Sequence, residues 1–228
     1  VFSSDLVAEL IALFGEVPAL YIADGHHRSA SACKVGLKRR KENPGYKGDE
    51  EFNFFMAAIF PDSDLKIFDY NRVIKYLNGL TEDGFIDRVK ASGFDVEEMG
   101  AEPYRPDAKH VFAMYLDGKW YKLTAKSEII PDHVIDSLDV AILQNNIFEP
   151  ILGISDPRTD KRIDFVGGIR GLQELERRAT SDMKVAFAVY PVDVKDLMEV
   201  SDNGMVMPPK STWFEPKLAS GLFLHSLK

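Results

Sequence analysis

Apolar residues recur three and four positions apart at Leu6, Leu10, Leu13 and Phe14, the spacing that places one face of a helix on one side. Ser3 or Ser4 can cap that helix and Gly15 can stop it, so the pattern predicts a helix over 5–14. The apolar run at 17–23 predicts a buried strand. After Asp24-Gly25, the small and basic residues of 28–41 predict a second helix, ended by Asn43-Pro44-Gly45. The stretch "FNFFMAAIF" at 52–60, closed by Pro61, reads as a central strand, and 65–68 as a shorter one.

Further along, Thr81 caps a predicted helix over 81–92 that spaces Phe85, Ile86 and Val89, and 94–96 returns to extended chain. In "HVFAMYLDGKWYKLT", two alternating runs flank Asp117-Gly118, a pair that tolerates positive φ and so predicts a tight hairpin. The pattern then predicts helix at 132–146, strand at 162–166, helix at 169–178, strand at 184–190 and helix at 194–200. This mixture implies an α+β (α/β mixed) fold, a mixed sheet flanked by helices. No repeat or flexible linker interrupts the chain, which reads as one globular region, 1–228, with a sub-lobe boundary at the Pro- and charge-rich loop 101–108.

Composition narrows the function classes. A chain of 228 residues, 45% apolar, can bury a sizeable core. Its 28 basic against 36 acidic side chains leave a net charge of -8, which disfavours broad binding to nucleic acid or anionic lipid. Cys33 is the only cysteine, so an internal disulfide and any multi-thiolate metal site are excluded, and a cytoplasmic location is expected. No apolar run reaches the ~20 residues a membrane helix needs.

Candidate chemistry concentrates in "LYIADGHHRSASACKVG", where the strand at 17–23 runs through Asp24, Gly25, His26, His27 and Arg28 into a helix. Backbone amides at a helix start lack intrahelical acceptors and sit at the positive end of its dipole, so they attract phosphate or carboxylate oxygens. Gly25 would let a ligand approach the main chain, Arg28 could fork two hydrogen bonds to an oxyanion, and Ser29 adds a hydroxyl. Asp24 could accept a proton from a hydroxyl or help hold Mg²⁺. The alternative is a polar turn in which Asp24 caps the helix and His26 and His27 are solvated. A zinc site is not read here, because adjacent side chains diverge and further ligands are lacking.

A second unusual stretch is the tail "MVMPPKSTWFEPKLASGLF", 205–223. Lys210, Ser211 and Thr212 offer a cation and two hydroxyls for phosphate, without the glycine-rich lead of a P-loop. The alternative is a surface turn anchored by Trp213. The run "IDFVGG", 163–168, offers amides at Gly167 and Gly168 as a third anion contact, against the plainer reading of a strand-to-helix turn.

"YIADGHHRSASA" together with "MPPKSTWFEPKLASGLFLHSL" resembles the bacterial and archaeal family known as domain of unknown function number one thousand and fifteen. Family members carry an N-terminal half, with a histidine-glutamate motif, ahead of the first helix here, so the resemblance implies that this chain is the C-terminal part of a longer protein. The Asp-Gly-His-His-Arg turn is also similar to the phosphate-binding box of the ParB and sulfiredoxin-like superfamily, which includes free-serine kinases and DNA-partition proteins. That resemblance implies phosphate contacts for Gly25, His26, His27, Arg28 and Ser29, with Asp24 nearest the transferred group. It further implies a nucleotide, ATP or ADP, with Mg²⁺, and a catalytic role for Asp24 and His26. The reading is a nucleotide-dependent phosphotransferase acting on a small hydroxyl substrate, with free L-serine as acceptor; the alternative is a non-enzymatic ParB-like nucleotide- or DNA-binding module.

Overall fold

The computed structural model describes residues 3–219 and 221–227. The chain divides into two compact units, one containing the residues up to Phe60 together with those from Leu218, the other Pro61–Lys217. The loop 101–108 lies inside the second unit.

In the first unit, α1 (Ser4–Gly15) begins where Ser3 Oγ accepts from the Leu6 amide. Helix α2 (His26–Glu42) begins at Gly25 and stops at Asn43, with Arg39, Arg40 and Lys41 in its last turn, where cations complement the dipole. Gly36 is buried because α2 approaches the 3-10 turn Glu51–Asn53 closely: a Cβ there would lie 3.0 Å from the Phe52 carbonyl oxygen. Arg40 Nε donates to Asn53 Oδ1 at 2.6 Å across the same contact.

The strands that the apolar pattern predicts at 17–23 and 52–60 are not formed. The segments 17–23 and 54–60 form no ladder among the described residues, and Leu20, Phe54, Phe55, Met56 and Ile59 are exposed. An apolar run reports a tendency to be buried, whereas a strand also needs a neighbouring edge for its N–H and C=O groups, and the first unit contains none among those residues.

The second unit is built on β2 (Tyr70–Ile74), β3 (Phe94–Gly100), β4 (Val111–Leu116), β5 (Lys119–Ala125), β6 (Ile163–Gly167) and β7 (Val185–Ala188), in the order β3-β5-β4-β7-β2-β6. A separate pair joins β1 (Lys66–Phe68) to β8 (Trp213–Glu215). The α+β class is observed, but the pairings among the described residues are all antiparallel, where the sequence pattern predicts a mixed sheet. The cause lies in the strand-helix-strand segment β6, α5 (Leu172–Ser181), β7. Both strands pair antiparallel with β2, which is inserted between them, so the crossover is split and its two strands never meet.

The hairpin β4–β5 turns through Asp117 and Gly118, both at positive φ (50° and 79°), as the Asp-Gly pair predicts. Helix α3 (Glu82–Ala91) is capped by Thr81 Oγ1, which accepts from the Gly84 amide at 3.2 Å. The helix expected over 132–146 is present only as α4 (Asp139–Leu143), continued by a π turn, Gln144–Phe148. Its first part is taken up by local turns, such as Ser137 N to His133 O, that send Val134 and Ile135 toward Val200 and Met205. Helix α6 (Val194–Asp202) starts at a capping box of Asp193 and Asp196.

Strand alternation divides the core into two layers. Ile74, Phe112, Met114, Leu116 and Phe187 face one side with Phe85 and Val89 of α3 and Ile142 and Leu143 of α4. Val73, Ala113, Tyr115, Trp120, Ala186 and Ala188 face the other side with Leu172 and Leu175 of α5. Phe187, fully buried on the central strand β7, meets Phe148 edge-on at 5.3 Å. Phe187→Ala is expected to lower the stability of the second unit by about 3–5 kcal/mol, measured by denaturant unfolding.

Candidate functional site

The turn ahead of α2 places its backbone before its side chains. Gly25 adopts the left-handed conformation, φ 79° and ψ 25°, and occupies the capping position of α2 without a side chain to fill it. The first helical hydrogen bond runs from Ser29 N to Gly25 O at 2.9 Å, so the amides of His26, His27 and Arg28 lie ahead of the helical ladder. Arg28 folds back over this turn: a Cβ on Gly25 would lie 3.3 Å from its Nη2 and 3.4 Å from its Nε. The guanidinium therefore lies in tight contact with the position that a side chain at residue 25 would take. Asp24, His26, His27 and Arg28 are exposed, and Gly25 and Ser29 are half-buried. A guanidinium beside a string of helix-start amides is a geometry suited to an oxyanion.

Lys210, Ser211 and Thr212 belong to the second unit. Lys210 adopts positive φ (57°) and holds its ammonium 5.4 Å from the centre of the Tyr70 ring. Ser211 is buried and donates its hydroxyl to the Pro208 carbonyl at 2.6 Å, which closes the turn. Trp213 packs across Gly167 and meets Tyr70 at 5.5 Å, while its Nε1 donates to Glu215 Oε1 at 2.8 Å. Phe214, next along, is buried. The tail is thus fixed by the β1–β8 pair and by the indole, as the anchor reading expects.

The glycine pair after β6 is closed to ligands. Gly168 N donates to Asp69 O at 2.7 Å, and the Asp69 carboxylate stands where a Gly168 side chain would be. Gly167 faces the Trp213 ring so closely that a Cβ would come within 2.5 Å of it. These glycines permit close packing and do not form the third anion contact.

Around them lies a polar group that the sequence reading misses. Asp69, Asn71 and Arg72 are all buried, at 2%, 1% and 4% exposure. Asn71 donates to Asp69 and accepts from the Val189 amide at 3.1 Å, and Arg105 pairs with Asp69 at 3.4 Å. Arg72 donates to the Tyr70 carbonyl and, at 3.2 Å, to that of Lys210, and lies over the Phe165 ring. Burial pushes its guanidinium down to about 10, opposed by the electrostatic influence of the Tyr70 phenol and the Asp139 carboxylate. The signal in the sequence is a set of polar residues at 69–72 between apolar neighbours, a pattern shared with many surface loops.

Among the described residues, no three His, Cys, Asp or Glu side chains converge as a metal site, and no helix is long and apolar enough to cross a membrane.

The chain belongs to the family described as "Protein of unknown function (DUF1015)", whose model matches residues 1–141. The Asp24–Arg28 box that carries the resemblance falls inside the matched part, and the tail motif outside it. No curated protein matches the chain. Among solved structures it is similar to a free serine kinase in complex with AMP, at 18% identity and a TM-score of 0.46, over 94% of this chain and 80% of that one. It is also similar to a conserved hypothetical protein from Pyrococcus furiosus (19%, TM-score 0.42, 84% and 68% of the two chains). A third is SbnI with a C-terminal truncation from Staphylococcus aureus (12%, TM-score 0.41, 73% and 55%).

The packing of the tail yields a direct expectation. Gly167→Ala forces a Cβ into the Trp213 ring, so the variant should release the 210–217 segment: indole fluorescence shifts to the red and limited proteolysis begins within that segment. Unchanged emission and protease resistance would contradict the anchoring role.

Proposed function

We propose that the protein is a nucleotide-dependent phosphotransferase acting on a small hydroxyl compound, with free L-serine as the acceptor. The observation that carries this reading is the start of α2, where Gly25 leaves the capping position without a side chain and the Arg28 guanidinium lies against Gly25. The turn lies within residues 1–141, the part of the chain that the family model matches.

Phosphoryl transfer asks a protein chiefly to position its reactants and to neutralise charge spread over phosphate oxygens. The amides of His26, His27 and Arg28 supply fixed dipoles for that purpose, and the guanidinium can fork two hydrogen bonds to one phosphate. Ser29 lies on the same turn, and the exposed imidazoles of His26 and His27 can donate to phosphate oxygens. Asp24, immediately before Gly25, is the carboxylate placed to orient the acceptor hydroxyl and accept its proton, with His26 as its neighbour in that step.

Mg²⁺ fits this donor set in the manner usual for the ion, through one carboxylate, Asp24, together with the phosphates of the nucleotide; bound there it would offset phosphate charge. The proposal rests on the first unit alone and assigns no phosphate contact to Lys210, Ser211 or Thr212.

Two variants separate the roles. Asp24→Asn is expected to lower kcat by roughly 10²-fold with nucleotide affinity little changed, as loss of a general base does. Arg28→Ala is expected to weaken nucleotide binding about 10- to 100-fold, the range for charge-assisted hydrogen bonds, and to slow the reaction as well. The measurement is ATP- or ADP-dependent phosphoserine formation, with calorimetry for nucleotide binding. Wild-type rates in Asp24→Asn would remove Asp24 from the mechanism. Tight, salt-sensitive DNA binding without phosphoserine formation would instead favour the DNA-binding alternative.

A further inference from the structure

Arg72 is a buried cation without a carboxylate partner. It lies on β2, on the face shared with Ile74, and β6 and β7 flank the strand on both edges. Among the described residues its acceptors are two main-chain carbonyls, and no carboxylate comes within ion-pair distance. A desolvated guanidinium is costly unless a counter-charge or a full set of hydrogen bonds meets it, and neutral carbonyls supply only part of that.

The same residue lines a cavity of about 380 Å³, a size that suits a small organic ligand. Phe148, Phe165, Ile163, Val140 and the Pro208-Pro209 pair give the cavity apolar walls. Its other charged lining groups are already engaged: Arg158 is bound to Asp156 through two hydrogen bonds of 2.9 and 3.0 Å, and Asp136 lies 3.0 Å from His133 Nδ1. Among the described residues Arg72 is the buried charge of the cavity without an ion pair: the Asp139 carboxylate acts on it only from beyond contact distance. The backbone beside it is also unusual, since Gln144 and Asn145 reach the cavity from the π turn that extends α4, and such turns recur at functional sites.

We propose that this cavity is a binding site for a small carboxylic acid with an apolar body, its carboxylate paired with the Arg72 guanidinium and its body against Phe148 and Phe165. A carboxylate matches the planar fork of arginine, and the apolar walls favour a hydrocarbon remainder over a compact, strongly hydrated ion such as phosphate. The site lies within the second unit and is independent of the phosphotransferase reading.

The test compares benzoate, its neutral isostere benzamide and inorganic phosphate as probes, by calorimetry and by amide chemical shifts of the intact protein. Benzoate is expected to bind at least about tenfold more tightly than benzamide, with shifts at residues 144–148 and 163–165, and phosphate not to displace it. Arg72→Met is expected to erase the difference between benzoate and benzamide. Should that variant fail to fold, Asn145→Asp, a change at an exposed rim position, places a negative charge at the cavity and is expected to weaken benzoate about fivefold while leaving benzamide unchanged. Equal affinities for benzoate and benzamide, displacement of benzoate by phosphate, or no binding of benzoate at millimolar concentration would each overturn the proposal. So would unaltered benzoate affinity in Asn145→Asp.

Discussion

Strand β2 is enclosed by β6 and β7 on its edges and by packed layers on its faces, so a polar side chain on it must find its partners inside the protein. The adjoining residues meet that constraint in a connected way. Asp69 accepts from Asn71 and Gly168 through different oxygens, Asn71 accepts from Val189 beyond the end of β7, and Arg72 reaches the Lys210 carbonyl in the tail. The order of the sheet, the closeness of the glycine pair after β6 and the course of the tail therefore meet at one short segment. Removing a single member would leave a buried polar atom unsatisfied, which costs about 1–3 kcal/mol. Arg72 is the charged member without an ion pair, and the cavity lies at that residue.

The first unit is organised differently. Its helices bury little: α1 has no buried residue and α2 buries only Gly36 among the described residues. What is specific in it is the geometry of a turn. A left-handed residue before a helix favours glycine, and glycine places no side chain of its own over the helix start, so the conformational requirement and the proposed access for an oxyanion have the same origin. The Arg28 guanidinium over Gly25 would add charge to the proposed site, whose amides the helix start already orients.

Local chemistry made much of the fold legible. Of the two serines able to cap the first helix Ser3 does so, Thr81 caps α3, and Asp117-Gly118 turns the hairpin with both residues at positive φ. The segments 17–23 and 52–60 were misread because their apolar character says nothing about which edge they would pair with. Strand β2 escaped notice for the opposite reason: Asn71 and Arg72 interrupt its apolar pattern, and their burial depends on neighbours far away in sequence, Val189 and Lys210. The split crossover likewise depends on β2 entering between two strands that follow it in the chain. For the candidate site, the strand-turn-helix order is half right: the turn and helix are present, and the chain leading into them forms no ladder among the described residues.

The central claim is that the amides at the start of α2 receive the phosphates of a nucleotide. Amide correlation spectra of the protein titrated with ADP test it most directly. The account predicts saturable shifts whose largest members are His26, His27, Arg28 and Ser29, weakened together in Arg28→Ala. Saturable binding of ADP that leaves those four amides unmoved, with shifts confined to another part of the protein, would contradict it.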